Sequence, residues 1–332
     1  MQLSDEELKE KIEKLKNKLS VTVVAHFYQR DEVFEIGDIT GDSLELATRT
    51  RDDDAEFVLF CGVGFMGQSV KVLSPDKRVV MPKIASCAMA EMINGIEYDD
   101  AVRRLNESGI KSENILPITY INSNAEVKAK VGEMGGMVCT SSNAKHIITT
   151  ALKEGKKILF VPDRCLGQNI ANQMGLESCV IGDGSDLNES DIICFDGFCS
   201  VHQLFTVDDI TFYRKKYKDI LIAVHPECDP AICDASDFVG STSQLIKYIK
   251  ELPADQKVAV GTEFNMVNRL RPNNTYVLSS TKPECPTMNE TTLKDVYLTL
   301  KAIDDGAPIN EISVDEKTQK WAKIALERML AL

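Results

Sequence analysis

The sequence predicts an α/β protein of three similar α/β/α sandwich units with parallel sheets, arranged around a pseudo-threefold axis. Apolar runs of strand length alternate with amphipathic stretches of helix length, an order that gives parallel sheets covered on both faces. The same order occurs three times, and each time it ends at a cysteine. At 332 residues the chain is long enough for two or three domains.

The first unit is predicted to span residues 20–110. It contains strands over 21–25, 57–60 and 78–81 and a helix that begins near Ser43, and its last strand leads to Cys87. The charged segment 1–19 has the pattern of an amphipathic helix. We expect this helix and C-terminal helices within 305–332 to pack alongside the first unit.

The second unit is predicted to span 111–217 and the third 218–304. Strands over 115–121, 158–161 and 191–194 lead to Cys199, and strands over 220–224, 258–260 and 275–278 lead to Cys285. Helices are predicted to follow the polar segments 140–143 and 240–243. The interval before Cys199 is longer than in the other units, and the polar stretch 182–189 is interpreted as an inserted loop.

Polar residues stand at matching places in the three units. The first strand of each unit ends at His26, Asn122 or His225. Ligands gather at the carboxyl ends of parallel strands, so three units in a triangle would direct these groups toward one centre. Hydroxyl residues then follow at each predicted helix start, namely Ser43, Ser141 with Ser142, and Ser241 with Thr242. Such hydroxyls either cap the helix or help to hold an anion, and one residue can do both.

The cysteines indicate a metal site assembled from distant parts of the chain. The sequence has ten cysteines but no C-x-x-C pair, which excludes zinc-ribbon and ferredoxin spacings. In a large cytosolic chain, many cysteines indicate metal binding or catalysis rather than disulfides. Cys87, Cys199 and Cys285 are predicted to meet on the axis. The others are interpreted as buried apolar residues: Cys61, Cys139, Cys165, Cys179, Cys194, Cys228 and Cys233.

Composition and the N-terminal segment predict a cytoplasmic protein that binds neither nucleic acid nor membrane. A net charge of −13 disfavours nucleic acids and anionic membranes as partners. No apolar run approaches the roughly 20 residues that span a bilayer. The N-terminus lacks the apolar stretch and the cleavage site of a signal peptide.

Short segments spread over roughly residues 20 to 300 carry a family resemblance. They are AHFYQ (25–29), GDSL (41–44), FCGV (60–63), SCAMAEMI (86–93), YINSNAEVK (120–128), CTSSNA (139–144), PDR (162–164), GFCSVH (197–202), HPEC (225–228), FVGSTS (238–243), GTE (261–263) and CPTM (285–288). In this order they resemble the quinolinate synthases, the A proteins of bacterial and archaeal NAD biosynthesis. The resemblance implies three similar domains around a [4Fe–4S] cluster, with one cysteine ligand from each domain.

The resemblance also implies a reaction and its residues. The reaction is a transferase condensation of iminoaspartate with dihydroxyacetone phosphate to quinolinate, with loss of phosphate and two waters. With Cys87, Cys199 and Cys285 as ligands, one iron stays open as a Lewis acid for dehydration. The implied catalytic residues are His26, Tyr28, His225 and Glu227, with Tyr28 and Glu227 as the acid and base candidates. The implied substrate-binding residues are Ser43, Phe65, Tyr120, Asn122, Ser141, Ser241, Thr242 and Met288.

Other expectations complete this interpretation. His202 is assigned a structural or supporting role and His146 a surface position. The partners are the two substrates and, transiently, the L-aspartate oxidase or dehydrogenase that produces iminoaspartate.

The chain departs from the family at Gly64-Phe65-Met66-Gly67-Gln68, where a run like His-Phe-Met-Ala-Glu is expected. It also has Lys282 where some members place a second cysteine, which argues against a disulfide at the third ligand.

Two other functions remain open from the residues alone. An iron–sulfur hydro-lyase of the aconitase type would share the open iron but would need no phosphate site. An electron carrier or iron–sulfur sensor would need a fourth thiolate and no substrate pocket. The scattered cysteines and the polar strand ends argue against the carrier.

Overall fold

The structure is a computed structural model that describes residues 3–153, 155–271 and 274–332. The described strands form three separate sheets, and every strand pairing within them is parallel. The prediction of an α/β protein with three parallel sheets is confirmed. The first two residues of the predicted N-terminal helix lie outside the described residues.

The first sheet has the strand order β2-β1-β3-β4. Its strands are β1 (Val21–His26), β2 (Ile39–Gly41), β3 (Phe57–Cys61) and β4 (Arg78–Val80). All residues of β1 and β3 are buried, because helices cover both faces of the sheet. In the register, Ala25 lies opposite both Thr40 and Cys61.

The second sheet has the order β6-β5-β7-β9-β8, and the third has the order β11-β10-β12-β13. The strands of the second sheet are β5 (Ile115–Tyr120), β6 (Met137–Cys139), β7 (Lys157–Val161), β8 (Ser178–Val180) and β9 (Ile192–Cys194). Those of the third are β10 (Leu221–Val224), β11 (Phe238–Val239), β12 (Val258–Gly261) and β13 (Thr275–Val277). In all three sheets the first strand lies second in the order, so the predicted repeat extends to strand order.

Four edge strands, β2, β6, β8 and β11, were not predicted from the sequence, whereas the edge strands β4 and β13 were. β2, β6 and β11 each lie beside the first strand of their sheet and span only two or three residues. Strands this short carry no readable periodicity. In the second sheet, β8 precedes the polar stretch 182–189, so the insertion consists of a strand and a loop.

The helices cover the sheets and join them. They are α1 (Asp5–Lys18), α2 (Asp31–Phe34), α3 (Ser43–Arg49), α4 (Gly64–Leu73), α5 (Ala88–Glu91), α6 (Gly95–Glu107), α7 (Ala125–Glu133), α8 (Ala144–Leu152), α9 (Arg164–Met174), α10 (Val207–Lys216), α11 (Pro230–Asp234), α12 (Thr242–Glu251), α13 (Phe264–Leu270), α14 (Leu293–Asp304) and α15 (Glu316–Leu330). Short 3₁₀ turns span Ser112–Asn114, His202–Leu204 and Met288–Glu290. None of the described helices is both long and apolar enough to cross a membrane.

The terminal helices pack at two different places. α1 packs on α14, and Leu8 and Ile12 enter a core shared with the first sheet. The last helix differs from its prediction, because α15 packs mainly on α7 and β6 of the second sheet and also touches α4. Arg328 fixes this contact by donating to the carbonyls of Gly132 and Gly136, at 3.0 and 2.7 Å. The unit boundaries at 110 and 217 stay a prediction.

The hydrophobic cores divide unevenly among the sheets. One large core contains Phe60 of the first sheet, Phe160 of the second and Leu326 of α15. The third sheet has two cores of its own, around Ile222 and around Val260. The first two sheets are therefore joined by apolar packing that the third sheet does not share.

Candidate active site

One cavity lies where the carboxyl ends of the first strands of the three sheets meet. Nearly all of the residues that the sequence analysis singled out line it, namely His26, Tyr28, Ser43, Phe65, Cys87, Tyr120, Asn122, Ser141, Ser142, Cys199, His225, Glu227, Thr242, Cys285 and Met288. Thus every predicted site residue except Ser241 faces one cavity. Their chemical roles stay proposals.

Ser241 serves as the cap of a helix. It is 1% exposed, and its hydroxyl accepts the amide hydrogen of Gln244 at the start of α12. At α3 the cap is Asp42 rather than Ser43, because the Asp42 carboxylate accepts from the amides of Leu44 and Glu45. The hydroxyl of Ser43 is therefore not used for capping and lies at the cavity wall.

Two histidines occupy equivalent places and have the same hydrogen bond. Nδ1 of His26 accepts the amide hydrogen of Tyr28 at 3.1 Å, and Nδ1 of His225 accepts that of Glu227 at 3.3 Å. Burial lowers the pKa of His26 to about 4 and that of His225 to about 3, so both rings are neutral near pH 7. A neutral ring that accepts through Nδ1 carries its hydrogen on Nε2. Each histidine is thus a fixed hydrogen-bond donor at the cavity.

The three predicted ligand cysteines each begin a single helical turn. The carbonyls of Cys87, Cys199 and Cys285 accept amide hydrogens four residues further on, at 3.1, 3.2 and 3.2 Å. Amides within these turns also donate to the sulfur atoms, for example those of Ala90 to Cys87 and His202 to Cys199. Amides at the start of a helical turn stabilise negative charge, so each turn favours a thiolate.

These thiols fit an iron–sulfur cluster. They are the only cysteines among the described lining residues, and each comes from a different sheet region. Burial raises the pKa of all three, to about 12 for Cys87, which makes an isolated thiolate unfavourable without a metal. Iron–sulfur clusters bind thiolates, and three ligands leave one iron of a four-iron cluster without a protein ligand. The donor set therefore matches the group that the family resemblance implies.

The seven other cysteines are buried, as predicted, and the described residues form no disulfide. His146 lies exposed on α8, also as predicted.

In the segment that departs from the family, the Gln68 side chain accepts the amide hydrogen of Ala125 at 2.8 Å. Gln68 thus ties α4 to the start of α7.

Glu227 lies at the centre of a buried polar group. Nδ1 of His202 lies 2.8 Å from a carboxylate oxygen of Glu227, and the hydroxyl of Tyr120 donates to the same carboxylate. Burial acts to raise the pKa of Glu227, but the neighbouring His202 and His225 outweigh it and the pKa falls to about 2. The ligand atoms of Cys199, His202 and Glu227 also lie within 4.8 Å of one another, a spacing that would suit a single metal ion.

A chain of short polar contacts joins Tyr28 to Glu227. The hydroxyl of Tyr28 lies 2.9 Å from that of Thr242 and 3.0 Å from that of Thr262. The Thr262 hydroxyl lies 3.0 Å from Nε2 of His202, whose other nitrogen faces Glu227. Tyr28 is buried, and burial raises its pKa well above the usual value. The two predicted acid and base candidates are therefore connected through the protein.

Of the two residues between Tyr28 and Glu227, one was assigned a role from the sequence and the other was not. His202 was assigned a supporting role, and Thr262 received none, although both lie within matched segments. Thr262 follows β12 directly, as His225 follows β10, so its strand-end position was the available signal. No pattern in the sequence shows that the two side chains meet.

The cavity wall contains no Lys or Arg among the described lining residues. Lys128 lies just behind it, buried, with its ammonium donating to the carbonyls of Ile121 and Ser123 and lying 5.3 Å from the Phe65 ring. Burial lowers the pKa of Lys128 to about 7. Anions in the cavity would thus meet hydroxyls, histidines and amides rather than exposed cations.

Comparisons with known proteins give one consistent family. A family model described as quinolinate synthetase A protein matches residues 10–331. A quinolinate synthase of Helicobacter pylori (strain HPAG1) is 51% identical over 335 residues, covering 99% of each chain. Quinolinate synthases of Bacillus pumilus and Streptomyces coelicolor are 41% and 39% identical, covering 93% and 99% of this chain and 88% and 89% of their own.

Proposed function

The chain belongs to the quinolinate synthetase A protein family, and from this we propose that it condenses iminoaspartate with dihydroxyacetone phosphate to give quinolinate, phosphate and two waters. The observation that supports this most is the single cavity that brings three thiols together with Tyr28 and Glu227. A transferase of this kind needs a site for two anionic substrates and groups that move protons. The cavity offers both.

Cys87, Cys199 and Cys285 would hold a [4Fe–4S] cluster in this cavity. When bound, the cluster supplies an iron that is open to a substrate oxygen and acts as a Lewis acid in loss of water. A single ion at Cys199, His202 and Glu227 is the less favourable assignment, because both side chains beside the thiol already have partners. His202 faces Thr262 and Glu227, and Glu227 accepts from Tyr120.

The residues themselves suggest how protons move. Imine tautomerisation and loss of water each need one group that gives a proton and another that takes one. The carboxylate of Glu227, with its low pKa, is ready to accept, and the phenol of Tyr28, with its high pKa, holds its proton until a strong base forms beside it. Thr262 and His202 lie between them, so a proton that Glu227 has taken from substrate can pass along this chain and replace the proton that Tyr28 gives up. Tyr28 and Glu227 thus act as linked acid and base.

Neutral donors would bind the substrate anions. The hydroxyls of Ser43, Ser141 and Thr242 line the cavity near the starts of α3, α8 and α12. Amides and hydroxyls at helix starts bind phosphate and carboxylate, and the hydrogen on Nε2 of His26 and of His225 adds a donor. We assign carboxylates or phosphate to Ser43 and to Thr242, with Ser241 supporting the start of α12. Tyr120, Asn122, Phe65 and Met288 are assigned to orienting the substrates.

The reaction is placed in the cytosol, where a chain with ten free thiols stays reduced. Iminoaspartate would come from an L-aspartate oxidase or dehydrogenase, with which a transient contact is expected. Neither the cellular location nor the contact with this enzyme changes the chemistry of the site.

An anaerobic assay tests the function. The protein, purified without oxygen, is incubated with dihydroxyacetone phosphate and iminoaspartate formed in place from oxaloacetate and ammonium, and quinolinate is measured by mass spectrometry. We expect quinolinate that depends on both substrates and on bound iron. Dehydration of hydroxy-carboxylates without quinolinate formation would instead favour the aconitase-type hydro-lyase, and bound iron without either activity would favour an electron carrier.

A further inference from the structure

Tyr28 belongs to the first sheet but takes its position from the third. It lies in the loop between β1 and α2, two residues after His26. Its hydroxyl lies between Thr242 at the start of α12 and Thr262 at the end of β12, both in the third sheet region. Tyr28 packs against the apolar core around Val260, but among the described residues no core joins these two regions on the scale of the one between the first two sheets.

Side chains of α13 hold three consecutive carbonyls around Tyr28. Arg269 donates to the carbonyls of Phe27 and Gln29, the latter at 3.0 Å. Asn265 donates to the carbonyl of Tyr28 itself at 3.0 Å. The loop is thus bound through its backbone on both sides of the residue that carries the phenol.

The Arg269 guanidinium has a single well-defined orientation. Its side chain is 20% exposed, and its central carbon lies 4.3 Å from the centre of the Phe34 ring. One of its nitrogens also contacts the Asp31 carboxylate at 2.8 Å. A planar guanidinium fixed by a ring and three oxygens holds its partners in one geometry, which a lysine cannot reproduce.

The same helix reaches the third cysteine. The carboxylate of Glu263 caps α13 by accepting from the amide of Asn265 at 2.8 Å, and it accepts from the amide of Cys285 at 3.3 Å. The Asn265 side chain also donates to Asn289, which lies in the turn after Cys285, at 2.8 Å. α13 therefore connects the loop of Tyr28 with the turn of Cys285.

We infer that Arg269, together with Asn265, is a positioning residue that sets the phenol of Tyr28 against its threonine partners. The inference rests on the proposed function, because it assigns Arg269 an effect that acts through Tyr28. Arg269 does not line the cavity and is not a catalytic residue. The ion pair with Asp31 is secondary, since Asp31 is 47% exposed and such pairs contribute little.

The test is a double-mutant cycle in the anaerobic quinolinate assay. Arg269→Gln should lower kcat by about 10²-fold, the order of loss that misplacement of a catalytic group produces. In a Tyr28→Phe background the same substitution should cause no further loss, because the group that it positions is already gone. Arg269→Lys should recover only part of kcat. The matched controls are Arg271→Gln, at the end of the same helix, and Asp31→Asn, and both should retain the wild-type kcat.

Hydrogen exchange gives a readout that does not depend on turnover. Amides within 27–34 should exchange faster in Arg269→Gln than in the wild type or in Arg271→Gln, with the rest of the chain unchanged. The inference would be overturned if the losses in kcat from Arg269→Gln and Tyr28→Phe multiply in the double variant, or if hydrogen exchange within 27–34 is unaltered in Arg269→Gln. The proposed function would stand in either case. A wild-type chain that makes no quinolinate would overturn the proposed function, and the exchange measurement would still decide whether Arg269 holds this loop.

Discussion

The amide of Glu227 donates to Nδ1 of His225 at 3.3 Å, which places the hydrogen of the neutral ring on Nε2. The same relation joins Tyr28 to His26. In each case the histidine is bonded to the backbone of the residue proposed as acid or base. A histidine that becomes charged would lose this acceptor, so the arrangement depends on both rings staying neutral.

Acid should therefore weaken the fold through His225. Burial lowers its pKa to about 3 in the folded protein, below the value of about 6.5 in an unfolded chain. Below about pH 6.5 the unfolded state binds the extra proton, so stability falls as pH falls toward the folded pKa. The loss attributable to His225 approaches about 1.4 kcal/mol per pH unit below about pH 6. Urea unfolding of the wild type and His225→Asn at pH 7.5 and 5.5 measures it, and the wild type should lose more stability than the variant. An equal loss in both proteins would mean that His225 is already charged when folded.

Each of the three cavity cysteines should be needed for iron. We expect about four irons per chain in protein handled without oxygen, as for one [4Fe–4S] cluster. Cys87→Ala, Cys199→Ala and Cys285→Ala should each lose the brown chromophore, while Cys165→Ala and Cys179→Ala, at buried positions outside the cavity lining, should retain it. Iron, sulfide and visible absorbance are the measurements. A complete cluster in Cys199→Ala would refute the ligand assignment.

Loss of either proton-transfer group should abolish most turnover and leave the iron in place. Tyr28→Phe and Glu227→Gln should lower kcat by about 10²- to 10⁴-fold, the usual contribution of a positioned acid or base. Iron content serves as the control, because neither residue is a proposed ligand. Near-wild-type kcat in both variants would place proton transfer elsewhere in the cavity.

The two threonines beside Tyr28 should differ in effect. Thr262 contacts both Tyr28 and His202. Thr242 contacts Tyr28, but the described hydrogen bonds include none between Thr242 and His202. Thr262→Val should therefore lower kcat by about as much as removal of an acid or base, at least 10²-fold. Thr242→Val should mainly raise KM, since it keeps the chain intact and removes a substrate contact. A larger loss of kcat in Thr242→Val than in Thr262→Val would exclude proton transfer through Thr262.

The sequence predicts those parts of the molecule that leave a periodic or positional signal. The first strand of each sheet is an apolar run that ends at or just before a residue facing the cavity, so the fold and the position-matched polar residues and cysteines follow from pattern. Phe65, Tyr120 and Met288 follow only from the family resemblance. Edge strands such as β11, with two residues, are set by pairing with a neighbour rather than by local sequence. The position of α15 is likewise set by tertiary packing, because an amphipathic pattern predicts a helix with a buried face but not the element on which that face packs.

The functional contacts between sheets were the hardest to predict. The sequence pattern of a serine at a helix start does not show whether the serine caps the helix, as Ser241 does, or lies next to the capping residue, as Ser43 does. Likewise, Thr262 and His202 are 60 residues apart, and only the folded chain shows that they meet. Arg269 and Phe27 are 242 apart and carry no motif that links them.

The placement of one thiol on each sheet region has a consequence for how the protein matures. Cys285 lies beyond the last strand of the third sheet, so it leaves the ribosome after Cys87 and Cys199 have been synthesised. The complete set of thiols exists only once translation has passed all three sheets. A cofactor that needs all three thiols can therefore be completed only after Cys285 has been synthesised, when the strands of all three sheets are already present in the chain. The brown chromophore in a growing culture would then come only from chains that contain Cys285. Chains that stall or are truncated before Cys285 would stay colourless, however well their first two sheets fold.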